Sequence, residues 1–136
     1  MNIYLDIDGV LLDKGLKPAL HIDDFLKRLL DGNDVYWLTT RCKGDAGATL
    51  GQLSTLLEPQ TLELLKVVKA TDWRTLKTEA IDFAKPFLWF DDNLFYGERQ
   101  MLESFYVIEN WIKVDLGADP NQLQIFANDF PEPIDA

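Results

Sequence analysis

The sequence contains one cysteine and one histidine in 136 residues. A lone cysteine, Cys42, excludes an internal disulfide and a cysteine zinc cluster, and suits a reducing compartment. Basic residues are also scarce. Thirteen Lys and Arg face 23 Asp and Glu, giving a formal net charge of -10. The mean field therefore repels nucleic-acid phosphates and anionic membrane surfaces, which disfavours a duplex-binding module. No apolar run approaches the roughly 18 residues that span a bilayer. The opening MNIYLDIDGVLLDKG has acidic residues where a signal peptide carries its apolar stretch. The expectation is a soluble, cytoplasmic protein. What the chain does have is 47% hydrophobic and 12% aromatic residues, enough large side chains for one core. Its length predicts a single domain over residues 1–136.

Short apolar runs alternate with helical spacing. Ile3, Tyr4, Leu5 and Ile7 read as a buried strand closed by Asp6, Asp8 and Gly9. Residues 35–38 and 87–90 read the same way, stopping at Thr39-Thr40-Arg41 and at Asp91-Asp92-Asn93. Further strands are expected at 67–68, 105–108 and 112–116. Helices are expected at 22–30, 49–57, 59–65, 75–84 and 98–104, with a last one opening at Asp119-Pro120. Parallel strands need crossover connections, so this alternation predicts an α/β fold, a three-layer Rossmann-like arrangement with a central parallel sheet. In such sheets ligands bind beyond the carboxyl ends of the strands. Three of the runs end in oxygen-rich clusters, so Asp6 and Asp8, Thr39 and Thr40, and Asp91 and Asp92 should converge on one edge.

Four carboxylates at one edge repel one another unless a cation compensates them. Oxygen-only ligands suit a hard ion, and magnesium fits better than zinc. An ion held there recruits phosphate and leaves a carboxylate free to attack phosphorus. With Ile7 turned to the core, Asp6 and Asp8 face one substrate, so Asp6 can attack while Asp8 protonates the leaving oxygen. Gly9 lets the chain turn sharply beside them.

The block Asp6-Ile7-Asp8-Gly9-Val10-Leu11-Leu12-Asp13 resembles motif I of the haloacid dehalogenase (HAD) superfamily of phosphohydrolases. Val35-Tyr36-Trp37-Leu38-Thr39 resembles its motif II, and residues 87–92 resemble the form of motif IV that ends in paired acids. The resemblance implies Asp6 as nucleophile and magnesium ligand. It implies Asp8 as general acid and base, with its backbone carbonyl on the ion. Thr39 would hydrogen-bond the phosphoryl oxygen, and Asp92 would bind magnesium with Asp91 beside it. The family's lysine is assigned to Lys77, with Lys69 and Arg74 left open. Neither connection that could hold a cap domain has room for one. The resemblance therefore implies a capless, HAD-like fold with an open site, which a macromolecular substrate, a protein partner or a second copy of the chain could cover.

Each of these residues also has a plainer reading. Thr40 can serve as a helix cap and Arg41 as a surface charge, although Arg41 sits where a substrate anion would be met. His21 reads as a surface or capping residue at a helix entrance. Trp37, Trp89 and Phe90 belong to the core, whereas Trp73, Phe95 and Tyr96 fall near the active edge and could shape access to it. Three functions follow: a magnesium-dependent phosphatase working through an aspartyl-phosphate, an idle HAD-like domain binding a phosphorylated ligand or partner, and a metal-dependent nuclease. The lack of a basic groove disfavours the third.

Overall fold

The apolar runs that end in oxygen-bearing residues become neighbouring strands in the computed structural model, which describes residues 1–134. Strands β1 (Asn2–Leu5), β2 (Asp34–Trp37), β3 (Phe87–Asp91) and β4 (Trp111–Lys113) form one sheet. Its order is β2-β1-β3-β4, with every pairing parallel. Leu5 lies in register with both Trp37 and Phe90. The register continues past the strand ends, where Asp6 N–H donates to the Phe90 carbonyl at 3.1 Å and Leu38 N–H to the Leu5 carbonyl at 2.8 Å. Asp6, the Thr39 segment and Asp91 are thereby brought to the same edge.

Alternation along the strands builds two apolar layers. Ile3, Leu5, Val35, Trp37, Leu88 and Phe90 share one cluster with side chains from α1 (Ile22–Leu30), α2 (Ala46–Leu53), α3 (Pro59–Leu65) and α5 (Gln122–Asn128). Tyr4, Phe87 and Trp89 share the other with Leu102 of α4 (Tyr96–Ser104). The result is an α/β fold of the Rossmann-like class, a parallel sheet between two helical layers. Within α1, acidic Asp23 and Asp24 open the helix and Lys27 and Arg28 close it, each complementing the local end of the helix dipole. Among the described residues no helix is long and apolar enough to cross a membrane.

Several expected elements differ, the last helix opening at Gln122 and not at Asp119-Pro120 among them. Residues 67–68 make no strand: Val67 is exposed, Val68 turns into the core, and only Lys69 bridges to Tyr36. The helix expected over 75–84 is a single 3₁₀ turn, Lys77–Ala80. Backbone N–H groups there find other acceptors: Glu79 takes those of Arg74, Thr75 and Leu76, and the Tyr4 hydroxyl takes that of Asp82. No strand forms over 105–108, because Tyr106 has φ 59° and the chain curls back with Val107 N–H on the Leu102 carbonyl. The strand expected at 112–116 forms as β4, beginning one residue earlier and ending at Lys113. Finally, α2 begins at Ala46 because Asp45 caps it, its side chain accepting from Ala48 N–H at 3.1 Å.

Phe90 is fully buried, with its ring edge-on to Phe25 at 5.3 Å and to Phe126 at 5.5 Å. It thus joins β3 to both α1 and α5. Phe90→Ala should lower the unfolding free energy by about 3–5 kcal/mol, read from urea denaturation. A loss below about 1 kcal/mol would mean that this layer does not pack as described.

Candidate active site

At the carboxyl edge the central feature is one buried ammonium between two buried carboxylates. Lys77 Nζ lies 2.7 Å from Asp91 Oδ2 and 3.4 Å from Asp6 Oδ2. Burial pushes the Lys77 ammonium pKa down, but Asp6 and Asp91 together outweigh it and hold it above its ordinary value. Asp91 is 1% exposed. Its Oδ2 also accepts from the Trp89 indole N–H at 3.1 Å, and its Oδ1 accepts from the backbone N–H groups of Asp92 and Asn93.

Oxygens of Asp6, Asp91 and Asp92 lie within 4.8 Å of one another. Burial, then the neighbouring Asp6, raises the Asp91 carboxyl to about 6. Desolvation and the adjoining Asp91 raise Asp92 to about 6 as well. One lysine cannot offset three acids. This all-oxygen set, short of positive charge, fits a hard divalent cation. Gly9 makes the approach of Asp92 possible: it has φ +84°, and a Cβ there would stand 2.3 Å from Asp92 Oδ2.

Asp8 is occupied elsewhere. Arg41 grips it with two hydrogen bonds, Nε to Oδ2 at 2.7 Å and Nη2 to Oδ1 at 3.0 Å. Donating to Asp8 is the main reason the guanidinium sits above its usual pKa. The Asp8 carboxylate therefore stands outside the three-acid group. Thr39 is completely buried, and its hydroxyl accepts Arg41 N–H at 3.2 Å. The exposed Thr40, and not Thr39, lines the cleft over Asp6, which holds about 210 Å³ and is also bordered by Asp8, Lys77, Asp92 and Phe95. A roomier cleft of about 420 Å³, between residues 9–15 and 113–117, meets this site only at Asp92 and contains neither Asp6 nor Lys77.

The structure also separates the three cationic candidates. Lys69 pairs with Asp34 at 2.8 Å. Asp34 opens β2, so that pair lies at the opposite edge of the sheet. Arg74 is exposed and does not border the cleft. Only Lys77 reaches Asp6. His21 does not cap α1 with its side chain; its ring contacts Asn121 Oδ1 at 3.1 Å.

Glu98 is the residue that sequence reasoning missed. Although a glutamate, it is 1% exposed. One oxygen accepts Lys77 N–H at 2.9 Å and the other accepts Phe95 N–H at 3.0 Å. It thus ties the turn bearing Lys77 to the loop that follows β3. The sequence reading places it only at the start of a helix over 98–104, whereas one of its partners is 21 residues away. No protein-family model, curated protein or solved structure matches the chain.

Asp92 gives a pH signature. Its folded-state pKa of about 6 exceeds the ordinary 3.8, so the folded protein binds this proton more tightly than the unfolded chain does. That contribution is present below pH 3.8 and is lost as pH rises through about 6. Metal-free Asp92→Asn should therefore be more stable than wild type above pH 6, with the gap closing toward pH 4, read as urea midpoints across that range. A gap independent of pH would remove the assigned strain. Glu98→Ala should destabilise by about 1–3 kcal/mol, since it leaves the buried Lys77 N–H and the partly buried Phe95 N–H without acceptors, again read by denaturation.

Proposed function

We propose that the chain is a magnesium-dependent phosphatase, a capless phosphohydrolase resembling the HAD superfamily, which cleaves phosphomonoesters through an aspartyl-phosphate on Asp6. The observation that carries this reading is Lys77 held between Asp6 and Asp91, with Asp92 beside them, at the carboxyl edge of a parallel sheet. Asp6, Asp91 and Asp92 would hold magnesium, which when bound supplies positive charge to the phosphoryl oxygens.

The chain's own groups carry the reaction. An Asp6 carboxylate oxygen bonds to phosphorus as the ester P–O bond breaks, and Asp8 gives its proton to the departing alkoxide. Asp8, now ionised, takes a proton from water. The water oxygen bonds to phosphorus, the acyl-phosphate P–O bond breaks, and free Asp6 and inorganic phosphate result. Lys77 keeps Asp6 ionised and meets the growing charge on the phosphoryl group. The Thr39 segment and the exposed Thr40 offer donors to the same group, and Arg41 can meet a substrate anion once it lets go of Asp8.

That grip also favours a second reading. Asp8 with both oxygens engaged by Arg41 cannot donate a proton. A lasting pair would leave an idle domain that binds a phosphorylated ligand or protein partner.

A screen of phosphate esters with and without magnesium separates the two. Turnover should require the metal and vanish in Asp6→Asn. Asp8→Asn should lose about 10²- to 10⁴-fold on alkyl esters and less on p-nitrophenyl phosphate, whose leaving group needs no proton. Lys77→Ala should lose about 10²- to 10³-fold, while Lys69→Ala and Arg74→Ala keep near-normal rates. Magnesium-independent turnover, or full activity in Asp6→Asn, would refute the reading.

A further inference from the structure

The cleft over Asp6 holds about 210 Å³, below the roughly 300–1,000 Å³ of sites that enclose a whole small ligand. A phosphoryl group and its first ester atoms fill such a space. The body of a bound ester must then lie across the rim, and the rim decides what that body is. Two aromatic side chains border the cleft, Trp73 and Phe95. Trp73 is already engaged: it packs against the Tyr4 and Trp89 cluster, and Lys43 Nζ stands 4.5 Å from its ring centre. Phe95 is 61% exposed.

The Phe95 backbone is nonetheless fixed. Its N–H donates to Glu98 at 3.0 Å and its carbonyl accepts Arg99 N–H at 2.9 Å. A phenyl ring is therefore held out to solvent from a pinned helix start, beside the carboxylates. Neighbouring Tyr96 is also exposed, but its hydroxyl accepts from Gln100 along the helix surface, and it does not border the cleft.

We infer that Phe95 is the specificity-determining contact for the leaving group, and that the site takes phosphomonoesters whose alcohol carries a planar aromatic ring stacked on Phe95. The inference rests on the phosphatase reading and names its substrate class. A rigidly presented ring contributes stacking at little entropic cost, because only its own side-chain torsions are restricted.

The test compares 2-phenylethyl phosphate with n-butyl phosphate, primary alkyl esters of similar leaving-group basicity that differ in the ring. Wild-type kcat/KM should favour the phenylethyl ester by about 3- to 10-fold, mainly through KM. Phe95→Ala should bring the ratio to about one, and Phe95→Tyr should retain the preference, which loss of fold alone would not produce. Equal rates for both esters in the wild type, or an unchanged ratio in Phe95→Ala, would overturn the inference and leave the phosphatase reading standing. No hydrolysis of either ester or of p-nitrophenyl phosphate would overturn both.

Discussion

A buried ammonium flanked by two buried carboxylates constrains everything around it. Without Lys77, Asp6 and Asp91 would stand as two like charges in a place that water scarcely reaches, and breaking such buried pairs is strongly destabilising. The chain therefore has to deliver Lys77 to the ends of β1 and β3. It does so with a 3₁₀ turn, fastened by Glu79 on its entry side and by Glu98 at Lys77 itself. Glu79 gathers the N–H groups of Arg74, Thr75 and Leu76 and closes the segment as a tight turn. The turn is thus part of the site, and the departure from regular helix has a local cause.

The same edge shows an imbalance of charge. Asp6, Asp91 and Asp92 share one lysine, while Arg41 is committed to Asp8. Two acids in the cluster are raised to about 6, because burial and the neighbouring carboxylates both disfavour their charged forms. Asp8 stands apart from that strain, held by a guanidinium fork. Asp6 and Asp8 lie two residues apart in one loop, yet one joins the crowded acids and the other is neutralised by its own guanidinium.

The sheet was legible in the sequence because three of its strands are continuous apolar runs, each closed by polar residues; Ile3 to Ile7 with Asp6 and Asp8 is the plainest. The convergence of Asp6, Thr39 and Asp91 followed from parallel topology alone. Lys77 was legible only as one of three cations, since its selection depends on a turn whose acceptors, Glu79 and Glu98, come from side chains. Glu98 was not legible at all: nothing local marks a glutamate for burial when one of its partners is 21 residues distant. The strand expected at 105–108 failed for a related reason. Tyr106 adopts a left-handed conformation at φ 59°, which is uncommon for a large side chain and leaves no trace in hydrophobic pattern. Thr39 and Thr40 form a subtler case: of two adjacent hydroxyls past a strand end, Thr39 is buried and Thr40 lines the cleft.

The proposed reaction places the phosphoryl group on a carboxylate oxygen of Asp6. The most direct measurement is an acid quench of the protein during turnover of p-nitrophenyl phosphate with magnesium, followed by peptide mass spectrometry. One added phosphoryl group should appear on Asp6 and be absent from Asp6→Asn. A phosphoryl group on another residue, or steady turnover in Asp6→Asn, would contradict the account.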